Sequence, residues 1–246
     1  MAGQGSRQSR KRAVVVRITV FGANGPTGRL LTGQALAAGH AVTAVTRRPE
    51  SFPVQHDRVE VVGADVFDAG AVEAAVVGRD AVLSTLGAPA GRGPITTYSL
   101  GTANVVAAMR RHGVRRLGVV SSAGVDPRPY ADAGFLFNRV FLPYLTRVLG
   151  KTLYEDMGRM ETLVRASDLE WTIVRPGALY HLPSVSAYSV VEGRADGMYT
   201  ARADLAACLL GLVADDRYLR TTVEIVSSVG NPTLLQYIRH EAQPKG

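Results

Sequence analysis

The chain has a single cysteine, Cys208, among 246 residues. One thiol excludes an intramolecular disulfide framework and any multi-cysteine metal site. Its setting, LAACLLGLV, reads as the apolar side of a buried helix, so an inert core thiol is expected. The five histidines are scattered without metal-ligand spacing, and no metal is expected. Lysine is scarce: Lys151 is the one lysine between Lys11 and Lys245. No apolar run reaches the ~20 residues of a membrane-spanning helix, so no membrane partner is expected. No serine stands in a nucleophile elbow with histidine and carboxylate partners, which argues against hydrolase chemistry. Acids are missing from the first twelve residues, MAGQGSRQSRKR, where Arg7, Arg10, Lys11 and Arg12 supply four of the seven net positive charges. The basic excess is therefore largely a tail. Residues 1–12 are expected to be disordered and lack the apolar segment of a secretory signal. A tail of this kind gives no reason to expect a nucleic-acid partner, and a cytoplasmic location is expected.

Apolar residues are abundant, at 46%. Short β-rich runs alternate with helical patterns. Strands are expected at 13–21, 41–46, 59–62, 81–86, 117–121, 171–175 and 223–226. Several are apolar throughout, as in strands covered on both faces. Helical patterns at 29–38, 69–77 and 99–112 each end at a glycine, Gly39, Gly78 or Gly113, suited to a left-handed C-cap. The alternation predicts an α/β fold with a doubly wound parallel sheet, in one domain over 13–228. Residues 176–200 lose the pattern and read as the loops of a small C-terminal substrate lobe. Residues 229–246 form a polar C-terminal tail.

The stretch VFGANGPTGRLL follows the first strand and opens the first helix. Gly22 permits a tight turn, Gly25 lets the backbone approach a pyrophosphate, and Gly28 lets the helix pack on the strand. The helix N-terminus then offers free N–H groups to phosphate. The alternative is an ordinary flexible corner. The second strand ends in Thr46, Arg47 and Arg48, where an NAD site calls for an acid on the ribose 2′-hydroxyl. Arginine instead pairs with a 2′-phosphate through two N–H donors, so NADP(H) is expected unless the pair is merely solvated. Asp65, after the third strand, either faces an adenine amino group or caps the next turn.

Taken in order, VFGANGPTGRLL, GADVFD, LSTLGAP, VVSSAGV, WTIVRPG and ARADLA resemble the atypical short-chain dehydrogenase/reductases. The likeness is to the NAD(P)H-binding group that contains biliverdin reductase B (flavin reductase) and NmrA-like proteins. The resemblance implies a Rossmann fold with the nicotinamide above the carboxyl ends of the strands. It implies that Gly22, Asn24, Gly25, Pro26, Thr27 and Gly28 form the pyrophosphate turn, with Arg47 and Arg48 at the 2′-phosphate. Asp65 and Val66 fall on the adenine side. Leu86, Gly87 and Ala88 match the loop after strand four. Ser121 and Ser122 match the end of strand five, with Ser122 at the active-site hydroxyl. Pro176, Gly177 and Ala178 match the loop lining the nicotinamide. Typical relatives carry Tyr and, four residues later, Lys. Counting back from Glu161 by the family's spacing puts Leu153 and Met157 at those positions. Tyr154 is followed four residues on by Gly158, and Lys151 with Tyr154 is an alternative pair at i, i+3.

Tyr180 and His181 follow strand six and are candidate proton donors, or a solvent-facing loop pair. Residues 130–150 are apolar and aromatic. They form a lid or pocket wall with help from Tyr188 and Tyr199, a homodimer contact, or ordinary core. The expected activity is NADPH-dependent hydride transfer to a small apolar or aromatic acceptor of flavin, quinone or polycyclic-ketone type. Alternatives are a non-catalytic NADP(H) sensor of NmrA-like type and a non-redox isomerase, cyclase or epimerase.

Overall fold

The computed structural model describes residues 15–88, 93–130, 134–233 and 236. The basic tail expected over 1–12, and most of the expected tail over 229–246, lie outside the described residues. Eight strands form one sheet: β1 (Arg17–Phe21), β2 (Ala41–Thr46), β3 (Val59–Gly63), β4 (Ala81–Ser84), β5 (Arg116–Val120), β6 (Glu170–Pro176), β8 (Tyr188–Glu192) and β10 (Thr221–Ser227). Their order is β3-β2-β1-β4-β5-β6-β10-β8. Every pairing is parallel except β8 on β10. The order reverses beside β1, which sits between β2 and β4 with Phe21 opposite both Val45 and Ser84. In such sheets ligands bind outside the carboxyl ends of the strands at this switch point.

Helices α1 (Pro26–Ala37), α2 (Ala69–Val76), α3 (Thr97–Arg111), α4 (Lys151–Arg165) and α5 (Arg202–Gly211) cover the two faces. Alternate strand residues feed two cores. Phe21, Val82, Leu117, Val119 and Ile173 pack with α2, α3 and α4; Ile18, Val20, Leu83, Val174 and Ile225 pack with α1 and α5. Burial of each such side chain contributes about 1.5–3 kcal/mol, which is why these strands are apolar on both faces. Gly39, Gly78 and Gly113 have φ of 94°, 70° and 69°, the left-handed caps expected from their positions.

Two expectations need correction. The stretch 176–200 is not loop alone. It contains β7 (Ala178–Tyr180) and most of the path to β9 (Tyr199–Ala201), which pair in a two-stranded parallel sheet, and β8 closes the edge of the main sheet. The antiparallel edge strand mixes half-buried and exposed residues over five positions without strict alternation, too short and irregular a pattern to stand out among glycines and tyrosines. Residues 134–149 are not ordinary core. They wind through α turns at Gly134–Leu136 and Leu142–Tyr144 and wider π turns at Phe137–Phe141 and Leu145–Leu149. Pro143 lies inside this winding and has no N–H to give, a common cause of irregular helical turns. Its outward side chains are exposed, Phe135 at 82%.

Candidate active site

The turn from β1 to α1 is built by close backbone approach. Gly22 has φ 75°, and a β-carbon there would stand 2.6 Å from the Thr85 carbonyl oxygen. A β-carbon on Gly28 would stand 2.7 Å from Ala23 Cα, so only glycine lets α1 start this near the strand. Gly25 donates its N–H to the Gly22 carbonyl at 3.0 Å and is the N-cap of α1. It supplies no side-chain cap, Pro26 opens the helix, and no acid lies in the first turn. The N–H groups at this end are thus offered outward with a partial positive charge, as a phosphate cradle requires. Thr27 and Gly28 form the first turn after Pro26. The Asn24 side chain donates to Ser51 Oγ at 2.8 Å, and Ser51 Oγ donates to the Arg48 carbonyl at 3.0 Å. This ties the turn to the segment after β2.

Arg47, Gly63, Ala64 and Asp65 line a pocket of about 330 Å³ beside that segment. Arg47 is exposed and lines it; Arg48 does not. Asp65 Oδ1 accepts the Phe67 N–H at 3.0 Å, so the turn-capping expectation holds while the residue also faces the pocket. Val66 is buried against Gly101 of α3, and its carbonyl accepts from Asn104 at 2.8 Å. After β4, Leu86, Gly87 and Ala88 run along the strand ends. Space is open beyond Gly87, and the Ala88 N–H donates to the Tyr98 hydroxyl at 3.1 Å.

Strand β5 delivers two serines with different fates. Ser121 is buried and donates its hydroxyl to Glu161 Oε1 at 2.7 Å. That hydroxyl is committed to the interior, contrary to its expected place beside the cofactor. Ser122 is half-buried, and its Oγ accepts the Gly124 N–H at 3.1 Å. Burial pushes the Tyr154 phenol above the usual tyrosine value, and the neighbouring Ser122 hydroxyl opposes that rise. The Tyr154 ring lies between two glycines. A β-carbon on Gly124 would stand 2.9 Å from its hydroxyl oxygen, and one on Gly150 would stand 2.5 Å from its ring.

This corrects the count by spacing. Leu153 packs against the core and Met157 is buried in it. Tyr154, one residue on from Leu153, is the side chain brought to Ser122, and Gly158 follows one helical turn later. Lys151 is exposed and pairs with Glu155 at 3.8 Å, so it does not join Tyr154 in a pair. Tyr180 is buried, and its hydroxyl donates to the Val229 carbonyl at 2.5 Å, which commits that proton to structure. His181 is exposed. Pro176 is buried at the end of β6. Gly177 passes so near Met198 that a β-carbon would stand 2.8 Å from its carbonyl carbon. The N–H groups of Gly177 and Ala178 donate to Thr200 Oγ1 at 3.0 Å and to the Met198 carbonyl at 2.8 Å.

Residues 22–216 match the family model described as NAD(P)H-binding. The chain belongs to this NAD(P)H-binding family. An uncharacterized protein of Mycobacterium tuberculosis is 41% identical over 114 residues, which is 46% of this chain and 13% of that protein. The chain therefore spans a small part of this relative. An uncharacterized chloroplastic protein of Arabidopsis thaliana is 31% identical over 74% of this chain and 65% of its own length. An uncharacterized sugar epimerase of Bacillus subtilis is 25% identical over 79% and 86%. Among solved structures, a wide-type short-chain dehydrogenase/reductase from Veillonella parvula in complex with NADP superposes with a TM-score of 0.73 at 21% identity, covering 88% of this chain and 96% of that one. ChuY, an anaerobilin reductase from Escherichia coli O157:H7, superposes at 0.68 and 21%, covering 88% and 100%. These structures share the Rossmann-type fold of the family.

The β1–α1 turn fits a dinucleotide on its own geometry: an uncapped helix end, glycines where side chains would block approach, and a cationic side chain at the adjoining pocket. The sequence also understated what holds the site from beneath. Glu161 is buried and receives Arg175 through two hydrogen bonds of 2.8 and 2.6 Å, with Arg165 at 2.7 Å and Ser121 completing the set. Asp156 is fully buried and caps α3, accepting the Tyr98 and Ser99 N–H groups at 2.9 and 3.3 Å. Acids at 156 and 161 on an otherwise amphipathic helix were the available signal, since buried carboxylates demand partners.

Proposed function

We propose that this protein is an NADPH-dependent reductase acting on a small apolar or aromatic acceptor of flavin, quinone or polycyclic-ketone type. The observation that carries the reading is the Tyr154 hydroxyl lying over Gly124, two residues past Ser122, at the carboxyl edge of the sheet. When bound, the nicotinamide supplies a hydride, two electrons with one proton. The chain's own residues do the rest. Gly22, Asn24, Gly25, Pro26, Thr27 and Gly28 hold the pyrophosphate, and Arg47 reads the 2′-phosphate. Asp65 and Val66 border the adenine, while Leu86, Gly87, Ala88, Pro176, Gly177 and Ala178 border the nicotinamide side. Ser122 holds the Tyr154 hydroxyl, and Tyr154 donates the second proton to the acceptor, replacing Tyr180 and His181 in that role.

Burial keeps the Tyr154 phenol protonated across neutral pH, so it holds a proton for the acceptor, as a weaker acid than the tyrosine–lysine pair of typical relatives. The Arabidopsis relative and ChuY support a family reading but do not define the acceptor. The likeness to a named epimerase keeps a non-redox reaction as the rival; a bound cofactor then shows no net consumption. The test is equilibrium binding of NADPH and NADH, followed by steady-state turnover with flavin, quinone and aromatic-ketone acceptors. Binding with no net consumption by any acceptor overturns the reductase.

A further inference from the structure

The winding over 134–149 presents an apolar stripe that is organised rather than loosely packed. Its inner side is fixed. The Asn138 side chain donates to the Tyr130 carbonyl at 2.7 Å and accepts the Tyr130 N–H at 2.8 Å. Phe137 meets the Tyr130 ring with centroids 6.5 Å apart. Thr146 is buried and donates to the Leu142 carbonyl at 2.8 Å. The outer side repeats pairs of exposed apolar residues: Phe135 and Leu136, Val140 and Phe141, Tyr144 and Leu145, Val148 and Leu149. All eight are between 44% and 82% exposed. A contiguous stripe of this kind marks a contact surface.

Charge selects the occupant. From Ala133 to Tyr154 the sequence has no acid and three cations, Arg139, Arg147 and Lys151, all exposed. A second copy docked on the same stripe would set these cations against their equals. A bilayer with anionic headgroups meets the apolar pairs with its acyl boundary and the cations with its phosphates. The winding is also too short to span: no helix among the described residues is long and apolar enough to cross a membrane. We propose that residues 134–149 dock this protein on the surface of an anionic lipid bilayer, lying in the interface with the Phe135–Leu136 to Val148–Leu149 stripe inserted.

The test is flotation of the full chain with vesicles of phosphatidylcholine containing about one-third phosphatidylglycerol, beside vesicles of phosphatidylcholine alone. The protein is expected to float with the anionic vesicles and at least about tenfold less with the neutral ones. Phe135→Ser/Phe141→Ser/Val148→Ser lowers flotation at least about tenfold with an unchanged cooperative thermal melt, because these side chains make no core. Arg139→Glu/Arg147→Glu, which leaves every apolar group in place, lowers anionic binding and flattens its salt dependence. Absence of flotation overturns the proposal. So does unchanged flotation of both variants, which assigns the binding to Arg7, Arg10, Lys11 and Arg12. So too does a wild-type dimer in sedimentation equilibrium that the serine variant dissociates without loss of vesicle binding.

Discussion

The Tyr154 hydroxyl lies over Gly124, where the chain leaves β5: a β-carbon on Gly124 would stand 2.9 Å from its oxygen, and the residue one helical turn beyond Tyr154 is Gly158. Ser122 Oγ accepts the Gly124 N–H beside it. Two glycines leave room for the ring on either side.

Replacing Tyr154 by Phe removes the proposed donor without touching the glycine turn. Turnover is expected to fall by about 10²-fold while the NADPH dissociation constant stays unchanged. Because burial holds the phenol above its ordinary value of 10.0, kcat of the wild type stays flat across neutral pH. It declines only as the medium reaches the raised tyrosine range. Stopped-flow turnover across pH checks both points; a decline near neutrality assigns the proton to another group.

Arg47 lines the pocket by Asp65 and Arg48 does not. Arg47→Ala is expected to weaken NADPH about tenfold or more and NADH little, since a charge-assisted pair to phosphate is lost from an exposed site. Arg48→Ala leaves the preference nearly intact. Titration of both cofactors against both variants measures it.

Gly28→Ala places a methyl group against Gly22 and Ala23, where backbone rather than a yielding side chain blocks it. The helix must shift, at a cost of about 1–3 kcal/mol, and the phosphate cradle shifts with it. Gly33→Ala on the same helix has nothing within 4 Å of the new carbon and is expected to keep both stability and binding. Paired thermal melts with and without NADPH separate the two.

Glu161 tests the support beneath the site. Burial pushes its carboxyl up, but the hydrogen bonds from Arg175 and Ser121 and the charges of Arg175 and Arg165 outweigh that, holding it below the usual value of 4.5. A depressed carboxyl contributes stability above its unfolded pKa and loses it as pH falls through the folded one. Stability is therefore expected to decline below about pH 4.5, partly through this group. Glu161→Gln leaves Arg175 without its carboxylate, costs about 3 kcal/mol near neutrality and flattens that acid limb. Denaturant unfolding at several pH values reads both effects.

The parallel strands were legible because double-sided burial writes runs of small and β-branched residues without charge, such as AVTAVT, and the glycine caps fell at the ends of the helices they close. The strand-to-helix glycine turn and the exposed place of Arg47 after β2 were legible because both are local in sequence. The approach of Tyr154 to the end of β5 was not. Counting from Glu161 chose Leu153, whereas the ring that reaches Ser122 is set by helix phase and by the space left at Gly124 and Gly150. Neither is visible without the packing. Tyr180 looked available in the chain and is instead spent on the Val229 carbonyl. Composition left 130–150 open between lid, dimer contact and core, and only the solvent exposure over 134–149 removes the last.

The most direct test of the central claim is consumption of NADPH, followed by its near-ultraviolet absorbance, with wild type and Tyr154→Phe against flavin, quinone and polycyclic-ketone acceptors, with products identified. The account predicts net NADPH oxidation matched by reduced acceptor, faster with NADPH than with NADH and strongly diminished in Tyr154→Phe. Tight NADPH binding with no oxidation by any of these acceptors contradicts it.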